Sequence, residues 1–452
     1  MIKKYIQEHK NDIINDLCEI VRIPSVSGTL YCADALKRIK TLYEKNGFCS
    51  ELYEDYLLSY YKNGEHTIGL FAHADVVEAS GPWKMCQNPF EPTVSDGLIF
   101  GRGVLDNKIA VILSLYAMKI IKELKIPFDS SILCFSGSNE ETTMQDVKNY
   151  AKSHTLPDFS LVMDAAFPVY LGDKGMLWLE CTQDRELCDL VDIFGGTAVN
   201  ITLGKANARI KYTKSLYDEL KERKELFVAR ENDEIVIEAI GVSNHGAMPY
   251  NTVNAGGMIL SALFESSSFA ACDKKSLKLL HSLLTSYDGA PLGINAYDEV
   301  FRDTTVTNGM LRVENGKLKF TLDIRYGKTY STARMLEKIG SVLSENGISY
   351  EIKKYGEPSA ISRDNKYVQA CMQAYKEFTS EENAEPRINA GGTYSRYLPS
   401  SCEIGTTLIW QSVNLPSGHG GAHQADEYIS IDGFLSALEL IVKMLIECDK
   451  KK

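Results

Sequence analysis

Glu140 and Glu141 stand side by side in Ser138-Asn139-Glu140-Glu141, directly after the apolar run Ile132-Leu133-Cys134-Phe135. Neighbouring residues at a strand end point different ways, so one carboxylate can bind a cation while the other faces an attacking water. An isolated pair of this kind is usually a solvated turn. In this chain other chemistry-bearing residues close other apolar runs. His73-Ala74-Asp75 ends the stretch His66 to Ala72. There an imidazole can bind zinc through one ring nitrogen while a carboxylate fixes the ring through the other. Gly101-Arg102-Gly103-Val104-Leu105-Asp106-Asn107-Lys108 is a glycine-rich turn that delivers Asp106 to a helix start, as a cap or as a cation ligand. The spacing is not that of a phosphate-cradling loop. Asp164 closes Leu161-Val162-Met163, and Gly418-His419-Gly420-Gly421-Ala422-His423 brings a late histidine pair whose glycines argue against helical pairing. Of the eight histidines, His73, His245 and His423 sit in settings that suggest a site.

The elements that must position these residues follow from periodicity. Ile2 to Val21 and Lys108 to Leu124 read as helices, and His66 to Ala72, Ser131 to Ser136 and Ser160 to Met163 as buried strands. Such alternation predicts a three-layer α/β sandwich, with polar strand ends converging on one site. From about Glu180 the texture becomes α+β, with strands over Glu234 to Ile240 and Lys317 to Ile324 and helices near Val253 to Phe264 and Thr332 to Leu343. After Tyr355 a helix, strand, helix rhythm returns in Tyr367 to Phe378, Thr406 to Trp410 and Ile431 to Ile446. The expected organisation is therefore a discontinuous metal-binding α/β domain, residues 1–179 and 357–452, interrupted by an α+β unit over 180–356.

Composition sets the outer bounds. A chain of 452 residues, 44% hydrophobic and 24% charged, is globular, and its net charge of -11 repels nucleic acid and anionic membranes. A small soluble substrate is the expected partner. There is no early apolar signal core and no run long enough to span a bilayer. Eleven cysteines without a Cys-x-x-Cys pair suggest neither a disulfide framework nor a thiolate zinc site, and a reducing cytoplasm is expected.

The ordered series His73-x-Asp75, Gly-Arg-Gly-x-x-Asp106, Glu140-Glu141, Asp164 and His423 resembles the dizinc peptidase family of aminoacylase, glutamate carboxypeptidase, succinyl-diaminopimelate desuccinylase and carnosinase. Among its branches it is most similar to the PepV-type (Xaa-His or β-Ala) bacterial dipeptidases. Supporting stretches are Trp83 with Asn88-Pro89-Phe90, Asp164-Ala165-Ala166-Phe167-Pro168 with Gly172-Asp173-Lys174-Gly175, and Gly391-Gly392-Thr393-Tyr394-Ser395-Arg396. The resemblance implies a zinc-peptidase sandwich with an inserted lid and two Zn2+, with Co2+ or Mn2+ also compatible with the ligands. It implies that Asp106 bridges the metals, that His73 and Asp164 complete one site, and that Glu141 and His423 complete the other. It also makes Glu140 the general base, supported by Asp75, and His245 in Asn244-His245-Gly246 the lid histidine that stabilises the oxyanion. Asn200, Arg325, Gly391, Gly392 and Thr393 are the implied substrate contacts, Arg325 for the terminal carboxylate. The activity implied is hydrolysis of dipeptides with a free carboxylate by a monomeric enzyme. An N-acyl amino-acid deacylase or carboxypeptidase of the same family is the alternative, and a noncatalytic metal-dependent scaffold is the alternative from another class. Departures from the family pattern are Asn107-Lys108-Ile109 after Asp106, Ala166 in place of a common acidic residue, Leu203-Gly204-Lys205 after Asn200, and Thr142-Thr143-Met144 after Glu141.

Overall fold

The computed structural model describes residues 1–183, 187–408, 411, 413–416 and 418–452. Two compact units emerge, one from Met1–Asp173, Ser359–Asn389 and Thr393–Lys452, the other from Lys174–Pro358 and Ala390–Gly392.

The first unit is built on a nine-stranded mixed sheet. Its centre is parallel: Thr67–His73 lies between Ser131–Gly137 and Phe159–Ala165, and Ser401–Gly405 pairs with Phe159–Ala165 on the far side. Side chains along these strands alternate between two separate cores. Ile68, Leu70 and Ala72 join one cluster with Ile132, Cys134, Leu161 and Met163. Phe71 joins another with Leu133, Phe135, Val162, Tyr150 and Tyr394. Both faces are thus covered, which is why these strands read as continuous apolar runs. The Lys108–Glu123 helix is buried almost all round and packs with Lys10–Val21 and Ile431–Asp449 on the first face. At ~1.5–3 kcal/mol per fully buried large aliphatic side chain, its isoleucines and leucines anchor the layer. Gln145–Ser153 belongs to the other face. A three-stranded sheet joins Tyr428–Ser430, Leu98–Phe100 and Thr93–Ser95, and so ties the segment after His423 to the turn before Asp106.

The second unit has its own nine-stranded sheet and its own core, centred on Leu177, Leu179, Ile193, Ile237, Leu260, Phe320 and Leu322. Its helices are Lys214–Lys221, Ala255–Glu265, Ala271–Thr285 and Thr332–Glu345.

Three expectations differ from the structure. The first helix is two, Ile2–Glu8 and Lys10–Val21, broken at His9. The strand expected over Thr406 to Trp410 runs instead over Ser401–Gly405, with Ile409 and Trp410 lying outside the described residues. Its apolar pattern is masked by Glu403, which is fully buried and accepts hydrogen bonds from Ser395 and Asn389. One disulfide joins Cys188 and Cys272, a pairing across 84 residues that leaves no local signature in the sequence.

Candidate active site

Sheet register brings the chemistry together. His73 is the last residue of its strand and pairs with Gly137, while Asp164 stands one residue before the end of Phe159–Ala165. The parallel strands therefore present both side chains at their carboxyl ends, where ligands collect in open α/β sheets. Asp106 arrives from the glycine turn, joined to Asn107 by a cis peptide bond; Asn107, not Asp106, is the N-cap of Lys108–Glu123.

Asp106 is the hub. Its Oδ1 lies 3.2 Å from His73 Nε2 and its Oδ2 3.1 Å from His423 Nε2. On one side Asp164 Oδ2 is 3.8 Å from His73 Nε2; on the other, Glu141 Oε2 is 3.0 Å from His423 Nε2. Ligand atoms of His73, Asp106 and Glu141 fall within 4.8 Å of one another, as do those of His73, Glu140 and Asp164. His423 has a left-handed backbone, φ 63°.

Asp75 organises two of these groups. Its backbone oxygen is 3.0 Å from His73 Nδ1 and its Oδ1 3.4 Å from the same nitrogen, which leaves Nε2 for the cluster. Its carboxylate also accepts the backbone N–H groups of Glu140 and Glu141 at 3.2 Å each, and the Ser27 hydroxyl. The Glu140 loop is held at its base by Asp146, which accepts from the Ser138 and Asn139 N–H groups at 2.8 Å and from the Tyr394 hydroxyl at 2.5 Å. Gly137 is required there, because a Cβ would lie 2.0 Å from the Tyr394 hydroxyl. The unusual Thr142-Thr143-Met144 stretch closes on Asn139, whose side chain bonds Thr142 and Thr143 and whose carbonyl accepts the Met144 N–H.

Three positioning residues escaped the sequence reading. Asn107 donates to Asp164 Oδ1 at 2.9 Å and to the Met163 carbonyl, and accepts the His73 N–H. Fully buried Glu427 accepts three N–H groups with one oxygen, from Gly103, Leu105 and Asp106, and meets Arg102 Nη1 at 2.6 Å with the other. Tyr394 is the third. Glu427 had one visible signal, an acid heading the apolar pair Tyr428-Ile429; Asn107 showed only as a departure after Asp106 and Tyr394 only as a member of the Gly391 to Arg396 stretch. His419 pairs with Asp426 at 2.6 Å and so lies apart from the cluster.

Electrostatics show what the cluster wants. Burial, then the charge of Asp164, pushes the Glu140 carboxyl well above the usual carboxylate range. Burial, then Asp106, raises Glu141. Asp106 and Glu141 hold His423 up to about 10, and for His73 the surrounding carboxylates overcome burial and hold it well above a free imidazole. Four clustered carboxylates draw positive charge into the site, and metal cations supply it more fully than protons. Two buried ligand atoms, His73 Nε2 and Glu141 Oε1, have no hydrogen-bond partner among the described residues. The donor set and these two atoms fit divalent cations of the zinc type. Beside Asp106 and Asp164 opens a cavity of about 440 Å³ with Phe167, Tyr375, Leu408 and Ala166 in its wall.

In the second unit, the expected residues form two groups. Asn200 and His245 meet, the side-chain amide 3.2 Å from His245 Nε2, while Gly246 N–H donates to the Asn200 carbonyl. The Ala247 N–H donates to His245 Nδ1 at 3.1 Å, so that nitrogen accepts. Arg325 is buried; Nε and Nη2 donate to Asp323 and Nη1 to the Ala390 carbonyl, next to Gly391 and Gly392. Thr393, in the first unit, donates its N–H to Asp173 at 2.9 Å.

The model of Peptidase family M20/M25/M40 matches residues 69–447. A Staphylococcus haemolyticus protein provisionally named a dipeptidase is 26% identical, covering 99% of this chain and all of its own length. A Staphylococcus aureus protein with the same provisional name is 25% identical over the same shares. Among solved structures, human carnosine dipeptidase 1 shares the fold with a TM-score of 0.61 at 14% identity, covering 99% of this chain and 98% of its own. The aminoacylhistidine dipeptidase of Vibrio alginolyticus does so with 0.58 at 14%, covering 96% of each chain. With the family model spanning most of its length, this chain belongs to peptidase family M20/M25/M40.

Proposed function

We propose that this chain is a dimetal dipeptidase that cleaves dipeptides bearing a free carboxylate. The observation that carries the reading is Asp106, with one oxygen toward His73 and the other toward His423. His73, Asp106 and Asp164 would hold one cation, and Asp106, Glu141 and His423 the other. Bound there, such cations acidify water and polarise a carbonyl oxygen.

The remaining steps belong to side chains. Glu140, buried and drawn toward protonation by its neighbours, takes the proton of the attacking water and hands it to the leaving amine nitrogen, as a general base that turns acid. Asp75 keeps the His73 ring and the Glu140 backbone in register. His245 donates to the developing oxyanion, a contribution typically worth 10²–10³ in rate; Asn200 steadies the ring. Gly391 and Gly392 form the segment that meets the substrate carboxylate, and Thr393, whose N–H is committed to Asp173, holds that segment in place. Arg325 has three N–H bonds committed to Asp323 and Ala390 and supports that segment, with further N–H groups left for the carboxylate itself. The cavity beside Asp164 receives the amino-terminal residue. In this reading the enzyme is a cytoplasmic monomer and its second unit a lid; among the described residues no helix is long and apolar enough to cross a membrane.

A dipeptide panel with Zn2+, Co2+ or Mn2+ added back, set beside N-acetyl amino acids, tests the proposal. Turnover of the acetylated compounds with none of the dipeptides would move the assignment to a deacylase. A chain that binds metal and cleaves neither would be a scaffold.

A further inference from the structure

The second unit carries a surface cavity of about 530 Å³ whose walls include Tyr250, Tyr287, Tyr297, Asp288, Asp303 and Thr305. Its place in the fold is suggestive. Thr305 is the cross-strand partner of Arg325, and Thr307 on the same strand abuts Gly246, the residue after His245.

The lining has one chemical sense. Three tyrosines and two aspartates line the space and none of the lining residues is Lys, Arg or His; just outside it, Arg302 Nη1 donates to the Tyr297 hydroxyl at 2.8 Å and Lys174 feels the Asp303 charge. Asp288 uses one oxygen to accept from Ser286 and Ala290, which fixes the turn that holds it. Lys174 is bonded to the backbone oxygen of Asp303, at 2.6 Å. Burial and the Asp303 charge push the Tyr250 hydroxyl up, so the two share one local field. Thr305 is 2% exposed and its hydroxyl has no hydrogen-bond partner among the described residues. Aromatic faces attract cations, and carboxylates beside them add charge complementarity while repelling anions.

We propose that this cavity binds an organic ammonium group, carried either by the basic side chain of a peptide substrate or by a free alkylamine. The first source rests on the dipeptidase reading; the second does not.

Titration calorimetry of the full chain with n-butylammonium, and with n-butanol as the neutral control, tests the proposal. Saturable butylammonium binding that butanol does not displace is expected, weakened about two- to fivefold by Asp303→Asn and by Tyr297→Leu, both exposed positions. Absence of saturable binding, or an isotherm that neither substitution changes, overturns it. The ratio of KM values for Ala-Lys and Ala-norleucine separates the sources. A rise in that ratio in Asp303→Asn assigns the site to the substrate side chain, and an unchanged ratio with weakened butylammonium binding assigns it to a free amine. If neither peptide is cleaved, the dipeptidase reading fails while the calorimetric result stands.

Discussion

Replacing Glu427 by alanine removes the acceptor for three backbone N–H groups, at 2.9–3.1 Å, and the partner of a buried guanidinium at 2.6 Å. Each buried donor left alone costs about 1–3 kcal/mol, and breaking a buried ion pair about 3–5 kcal/mol. The terms overlap, because water entering the vacated space satisfies part of the loss; a net cost of at least about 4 kcal/mol is expected, large against the ~5–15 kcal/mol stability of a protein. Glu427→Gln keeps one accepting oxygen but turns an amide N–H toward Arg102, and should cost about half as much. Because the loop in question carries Asp106, metal affinity should fall about 10–100-fold in Glu427→Gln, the usual effect of losing a ligand's support. Urea unfolding followed by fluorescence and metal titration by competition with a chelator read the two effects. The Arg102→Met, Glu427→Gln double variant should be milder than the sum of the single changes, since it removes both charges together. Strict additivity, or unfolding of Glu427→Ala within about 0.5 kcal/mol of the parent, would refute the reasoning.

Glu140→Gln should keep full metal content while hydrolysis falls by about 10²–10⁴, and Glu141→Gln should lose metal, so metal analysis beside rate assays distinguishes base from ligand. Asp75→Asn should weaken metal binding by about 10–100-fold, read by the same chelator competition. Chelation should lower the unfolding midpoint, by an amount that grows with the free metal used for restoration as RT ln(1 + [L]/Kd), which a thermal shift series measures. Asp146 provides the pH test. Burial raises its carboxyl to about 6 from an ordinary 3.8. Between those values the folded chain binds more protons than the unfolded one, so this group's contribution to stability falls as pH rises through that window. The stability difference between the parent and Asp146→Asn should drop by about 2.4 kcal/mol from pH 4 to pH 7; a flat difference in urea titrations would contradict it.

Residues at the end of a continuous apolar run were legible from periodicity, whereas Asp106 and His423 showed only through their glycine-rich turns and the resemblance. His73, Glu140, Glu141 and Asp164 follow such runs, and the buried central strands are apolar on both sides because both faces of the sheet are covered. The supporting groups were hidden for a physical reason: their partners are remote in sequence. Glu427 bonds a loop more than 320 residues earlier, and Tyr394 reaches Asp146 across 248. Neither spacing carries a periodicity. Glu403 concealed a strand because a buried acid looks like a surface residue until Ser395 and Asn389 are brought beside it. The commitment of Arg325 to Asp323, two positions away, was closer to view, since alternate residues on a strand share a face.

The order of strands in the first unit has a consequence for biosynthesis. Phe159–Ala165 and Tyr170–Asp173 are neighbours in the chain, yet Ser401–Gly405 lies between them in the sheet. On the ribosome, the strand carrying Asp164 has one edge without its native partner until more than 230 further residues have been made. At about 5–20 residues per second, that interval lasts roughly 10–50 seconds. Throughout it an apolar strand edge is open to pairing with other chains, so the nascent protein has a stage at which chaperone capture and self-association compete with completion of the sheet.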